Sequence, residues 1–228
     1  IVKIKQFMRI IKKKNQNSLI NEFIRIFKKE VFKKKKANKR LSFVLTGGTS
    51  PRKLYSRLAK SKIDWSEVDF FWGDERLVSK KSVNSNYKLA YDLLLSKINI
   101  DKANIFSIDI SKNINNTCLK YQEKIKKYFD NNKVNFDIFL LGMGRDGHIA
   151  SLFPNSKLLK SKFLVNPIFR DDFKRISLSI DTINNSTKIF LWLNKKSKTK
   201  IYEKLKNKGK KIPVNNLKKD KLFCFSIN

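Results

Sequence analysis

Three short apolar runs constrain this chain more than any other feature. Residues 41–46 (LSFVLT), 68–72 (VDFFW) and 136–142 (FDIFLLG) each have the length of a strand, and each runs into a polar segment containing glycine. Around them the apolar spacing turns helical. Leu19, Phe23, Phe27 and Val31 recur every four residues and predict a helix over 17–37, capped by Asn17 or Ser18, with Lys33 to Lys36 at the negative end of its dipole. Leu89, Leu93 and Leu94 predict a helix over 84–97, and a third is expected over 116–129. Weaker runs predict a short strand at 105–108, strands at 175–180, 188–193 and 222–227, and a helix at 197–206. Strands alternating with helices give an α/β chain with an open, largely parallel sheet covered on both faces, whose ligands bind beyond the carboxyl ends of the strands. At 228 residues, with no linker or internal repeat, one domain spanning 1–228 is expected.

Charge is the second unusual property. Lys and Arg number 52 against 19 Asp and Glu, a net +33 that would ordinarily point to nucleic acid or an acidic membrane. Lysine, however, is spread along nearly the whole chain and outnumbers arginine, while Asn, Ile and Phe are abundant and Gly and Pro scarce. Those residues have AT-rich codons, so the excess reads as coding bias, and no specific nucleic-acid partner is expected. No apolar run approaches the roughly 18 to 20 residues of a membrane helix, so no membrane partner is expected. The basic segment 1–14 lacks the apolar core and cleavage site of a secretory signal, which implies the cytoplasm. Cys118 and Cys224 fit no paired ligand spacing and read as packing residues. A lone histidine, His148, rules out a histidine-rich zinc site, and a mixed one would need improvised ligands, so metal catalysis is not expected.

Six of the seven glycines fall in the three loops after the strong strands. In a glycine-poor chain they should be kept where backbone geometry or a ligand demands them. The first loop, residues 46–51 (TGGTSP), reads as a phosphate cradle: Ser50 can cap the next helix, Pro51 suits its first turn, and the amides of Gly47, Gly48 and Thr49 can point at an anion. It has neither the Walker pattern nor the dinucleotide fingerprint. The second, residues 73–78 (GDERLV), offers Asp74 to orient a hydroxyl and Arg76 to bind an oxyanion, with Glu75 as a possible structural partner of Arg76. The third, residues 141–154 (LGMGRDGHIASLFP), brings Asp146 and His148 two residues apart across Gly147, presenting an imidazole that can take a proton from water.

The segments GGTSP, WGDER followed by SNY, LGMGRDGHIASLFP and RISLSI, in this order, resemble the 6-phosphogluconolactonase family, part of a group that includes glucosamine-6-phosphate deaminases. The resemblance covers most of the chain. It implies a Rossmann-like three-layer α/β/α sandwich with a mostly parallel central sheet, no cofactor, and hydrolysis of a sugar-phosphate lactone by a monomer or weak homo-oligomer. It further implies catalytic roles for His148, Asp146, Arg76 and Asp74, and substrate or phosphate contacts from Gly47, Gly48, Thr49, Ser50, Arg175 and Lys198. Deaminases of the group typically carry a glutamate five residues after the DGH histidine, where this chain has Phe153, so the resemblance favours the lactonases. Three departures are visible: Ser79 stands for a proline, Asn155 for the glycine usual after SLFP, and Lys195 for the glycine expected ahead of the C-terminal phosphate-binding lysine, which the resemblance assigns to Lys198.

Overall fold

The structure, a computed structural model, describes residues 8–205 and 209–228. Six strands form the central sheet in the order β1-β9-β8-β5-β2-β3, and all five pairings are parallel. They are β1 (Arg9–Lys13), β2 (Leu41–Leu45), β3 (Val68–Trp72), β5 (Ile138–Leu141), β8 (Lys188–Leu193) and β9 (Leu222–Ile227). The near-continuous burial of the five strands other than β1 explains why these runs are mostly apolar rather than alternating. The helices are α1 (Gln16–Lys36), α2 (Arg52–Ala59), α3 (Asn86–Leu93), α4 (Ile114–Tyr128), α5 (Ile180–Asn185) and α6 (Lys196–Leu205). The last residue expected of α6, Lys206, lies outside the described residues, as do residues 1–7 of the basic N-terminal segment. No helix among the described residues is long and apolar enough to cross a membrane.

Sequence order along the sheet locates the ligand crevice. From β2 the chain builds outward to β3, then returns to place β5 on the other side of β2 and continues through β8 to β9. The switch point therefore lies between β2 and β5, and the loops leaving those two strands flank a crevice there. Helix α1 lays its apolar stripe on this sheet: Phe23 meets Phe43, Phe190, Trp192 and Phe225 at ring-centroid distances of 5.4 to 6.4 Å.

A second sheet of three antiparallel strands, ordered β4-β7-β6, was not anticipated: β4 (Asp74–Arg76), β6 (Val165–Ile168) and β7 (Arg175–Leu178). It continues directly from β3, because Gly73 alone separates β3 from β4, and the Gly73 carbonyl accepts from the Leu178 amide at 2.9 Å. Other expectations shift. The cap of α1 is Asn15 rather than Asn17 or Ser18, its side chain accepting from the Ser18 amide at 3.0 Å. Ser50 does not cap α2, which begins after Pro51 without a side-chain cap. The expected strand at 105–108 reduces to one bridge, Phe70 to Ile105, and α3 ends at Leu93 before a short 3₁₀ turn at Leu95–Lys97.

Candidate active site

Strand alternation sorts the second loop. Successive residues of β4 point to opposite faces, so Asp74 and Arg76 share one face and Glu75 takes the other. In the antiparallel register Arg76 stands opposite Arg175, and Asp74 opposite Ser177. Two guanidinium groups from distant parts of the chain therefore reach the same cleft, which no sequence spacing reveals. Glu75, facing away, accepts from the amides of Arg76, Asn86 and Tyr87, each at 2.8 Å, and from the Ser85 hydroxyl at 2.9 Å. It is thus a clamp on the SNY turn and contacts the Arg76 backbone rather than its guanidinium. Burial pushes its carboxyl above the ordinary glutamate range, against the pull of those four donors.

The three loops are tied to one another in pairs. The Thr46 hydroxyl accepts from the Gly142 amide at 3.3 Å, joining the first loop to the third. Ser151 donates its hydroxyl to Asp74 Oδ2 at 2.7 Å, joining the third to the second. Asn86 donates Nδ2 to the Asp74 carbonyl at 2.9 Å, and its Oδ1 occupies the space a Cβ on Gly47 would need, 1.8 Å from that position. Gly47 is therefore glycine because Asn86 closes over it. Two tyrosines pin the strand exits: Tyr55 accepts from the Thr46 amide and donates to its carbonyl at 3.0 and 2.7 Å, and Tyr121 does the same at Trp72 at 2.9 and 2.8 Å. Beneath the first loop, the Ser50 carbonyl accepts from Trp192 Nε1 at 3.1 Å and Asn194 Nδ2 at 3.0 Å.

These ties shape one open cleft. Of the residues expected from sequence, Gly47, Gly48, Thr49, Ser50, Asp74, Arg76, His148, Arg175 and Lys198 line it. Asp146 does not; it stands behind the imidazole, with Oδ1 2.6 Å from His148 Nδ1 and 3.2 Å from the His148 amide. Burial works to raise the Asp146 carboxyl, but the charge and hydrogen bonds of His148 outweigh it and hold the group below the ordinary aspartate range. Gly147, at φ +91°, makes the turn that allows this pairing. The loop glycines Gly142 and Gly144 line the cleft too, while Thr46, Asn86, Met143 and Ala150 line it without having been singled out from the sequence; SNY pointed to the Asn86 segment but not to its contact with Gly47.

The cationic side of the cleft is held by the main chain and by aromatic rings. Arg76 Nη1 donates to the Asn84 carbonyl at 2.7 Å, Lys198 Nζ donates to the Met143 carbonyl, and Arg175 Nη2 donates to Asp172. Buried Nε atoms of both Arg76 and Arg175 have no hydrogen-bond partner. Burial, then repulsion from Lys195 and Arg145, brings the Lys198 ammonium below the ordinary lysine range. The Phe153 ring lies 4.8 Å from the imidazole of His148 and carries the Arg170 and Arg175 guanidinium groups at 4.4 and 5.7 Å. Asn155 adopts φ +63°, a left-handed conformation that asparagine tolerates better than most residues, which explains why it can stand where a glycine was expected. Cys118 and Cys224 are free and buried, and burial pushes their thiols up to about 11 and about 12. Among the described residues no group of three or more His, Cys, Asp or Glu is placed to hold a metal ion.

A parallel α/β sheet whose switch-point crevice is lined by a histidine, backed by an aspartate, and by three cationic side chains defines the class of open-sheet proteins in which such crevices receive small ligands. More narrowly, the chain belongs to the glucosamine-6-phosphate isomerases/6-phosphogluconolactonase family, whose model matches residues 14–224. It is 35% identical over 186 residues to 6-phosphogluconolactonase 3, chloroplastic, of Arabidopsis thaliana, a match covering 75% of this chain and 57% of that relative. The chain thus spans a little over half the length of that relative. Among solved structures, a 6-phosphogluconolactonase from Thermotoga maritima superposes with a TM-score of 0.85 at 26% identity, covering 96% of this chain and 99% of that one. A monomeric glucosamine-6-phosphate deaminase reaches a TM-score of 0.82 at 20% identity, covering 96% and 97%. The fold is therefore shared by both kinds of enzyme, and only the site can separate them.

Proposed function

We propose that this chain hydrolyses 6-phospho-D-glucono-1,5-lactone to 6-phospho-D-gluconate in the oxidative pentose phosphate pathway. The substrate phosphate rests on the first loop at Gly47, Gly48, Thr49 and Ser50, with Arg175 and Lys198 neutralising its charge. Asp74 orients a sugar hydroxyl. His148, its Nδ1 held by Asp146, uses Nε2 to take a proton from water as the oxygen attacks the lactone carbonyl. Arg76 stabilises the oxyanion that forms. The intermediate collapses by breaking the bond from the carbonyl carbon to the ring oxygen, and His148 returns its proton to that leaving oxygen. Water is the only co-reactant, so the reaction calls for no cofactor. The reading carries with it a cytoplasmic enzyme of one domain over residues 1–228, a monomer or weak homo-oligomer.

The observation that carries this reading is the wall of the imidazole. Its Nδ1 side meets a carboxylate at 2.6 Å, while the residue five positions on, Phe153, presents an apolar ring at 4.8 Å instead of a second carboxylate. That arrangement suits activation of one water and lacks the acid a deaminase relay would use. Purified protein should be given fresh 6-phosphogluconolactone, corrected for spontaneous hydrolysis, and separately glucosamine 6-phosphate. Lactone opening well above the spontaneous rate, with no ammonia from the amino sugar, is expected. Ammonia release without lactone hydrolysis would transfer the chain to the deaminases.

A further inference from the structure

The tip of the hairpin between β6 and β7, residues 169–174 (FRDDFK), reaches the cleft through the ion pair of Asp172 with the cleft-lining Arg175, and its Arg170 guanidinium lies over the Phe153 ring beside His148. It also carries Asp171 and Asp172. The chain has only 19 acidic residues against 52 basic ones, and acids adjoin one another in just two places, Asp74–Glu75 and Asp171–Asp172. Asp74 lines the cleft that is read above as an anion site, and Asp172 stands against Arg175, which lines it too. For Asp74 and Glu75 the reason is visible in their hydrogen bonds to Ser151 and to the SNY turn. For Asp172 the partner is Arg175 itself.

The pair is lopsided. The Arg175 side chain is 10% exposed and that of Asp172 54%. The guanidinium lies near the Phe153 and Phe173 rings, at 5.7 and 5.9 Å, and its Nε has no partner. A buried cation is thus neutralised by a carboxylate standing half in water on a hairpin tip, whose other oxygen accepts from the Phe173 amide at 2.8 Å. We infer that Asp172 is a positioning residue that sets the anion affinity of the cleft from outside it, holding the Arg175 guanidinium until a phosphate takes it over. The inference rests on the proposed role of Arg175 as a phosphate ligand. When a dianion arrives, Asp172 either withdraws, losing its ion pair, or stays and repels the newcomer. Both lower the net gain on binding, so the aspartate weakens phosphate binding rather than assisting it.

The sign of the effect makes the test direct. In full-length Asp172→Asn, KM for 6-phosphogluconolactone and the inhibition constant of inorganic phosphate should both fall, by about two- to five-fold given the exposure of the carboxylate. Asp172→Glu, which keeps the charge, should stay near the wild-type values. Unchanged or raised constants in Asp172→Asn would overturn the inference, a rise meaning that Asp172 orients Arg175 for binding. Arg175→Met separates the two levels of the argument. If it weakens phosphate inhibition in the wild-type background while Asp172→Asn has no effect, the inference alone fails. If it leaves phosphate inhibition unchanged, Arg175 is not an anion ligand, and the reading of the site fails together with the inference.

Discussion

His148 has its position because Gly144 leaves room for it. A Cβ on Gly144 would stand 2.2 Å from His148 Cε1 and 2.7 Å from Asp146 Oδ1, so the imidazole or the carboxylate would have to move. Both are side-chain ends that can yield without unfolding the chain. Gly144→Ala should therefore leave the thermal unfolding midpoint nearly unchanged while lowering kcat on the order of 10²-fold, the usual penalty for an ångström of misplacement. Lys198 supplies a pH dependence at the same scale. Its ammonium is held below the ordinary lysine range by burial and by neighbouring cations, so it loses its proton earlier than an exposed lysine as pH rises. Deprotonation removes a positive charge from the cleft. Affinity for inorganic phosphate should then fall on the alkaline side before the ordinary range is reached, with proton uptake on binding there. Calorimetry in buffers of different ionisation enthalpy measures both, and in Lys198→Met the decline should disappear. Asp146 adds nothing on that side: its carboxyl is depressed, and it stays ionised from mildly acidic pH upward.

The elements differ in how openly the sequence announces them, and the differences have physical causes. Strands β3, β8 and β9 were legible residue for residue because both faces are buried and all but one residue of each run is apolar. Strand β1 (RIIKK) lies at the sheet edge with charged residues on it, and β6 (VNPI) contains a proline that reads as a break. Strand β4 is three residues inside what reads as a loop; only its pairing with β7 makes it a strand. The three loops that meet at the cleft were legible from their glycines, and the presence of His148, Asp74 and Arg76 in its lining from the loops. What the sequence could not express is the cross-tying: Asn86 against Gly47, Ser151 on Asp74, and Tyr55 on both polar groups of Thr46. The last is testable. Tyr55→Phe strips the partner from a buried amide and a buried carbonyl at the exit of β2, which should cost about 1 to 3 kcal/mol of stability in denaturant unfolding. It should also raise KM by loosening the phosphate loop.

At the scale of the whole molecule, the net charge of +33 acts on every anion in solution. On the proposed function, a phosphorylated substrate is drawn toward the cleft through a field with a screening length of about 8 Å at physiological ionic strength. KM for the lactone should rise steadily as salt is added, kcat less so. Nucleic-acid binding, if driven by the same diffuse charge, should vanish over the same salt range without sequence preference. The account as a whole rests on the imidazole at the switch point of the parallel sheet, where the three glycine loops meet. The most direct test compares wild-type protein with His148→Ala on fresh 6-phosphogluconolactone, following proton release above the spontaneous rate. A loss of about 10² to 10⁴ in kcat with an unchanged unfolding midpoint is predicted; turnover near the wild-type value in His148→Ala would contradict the account.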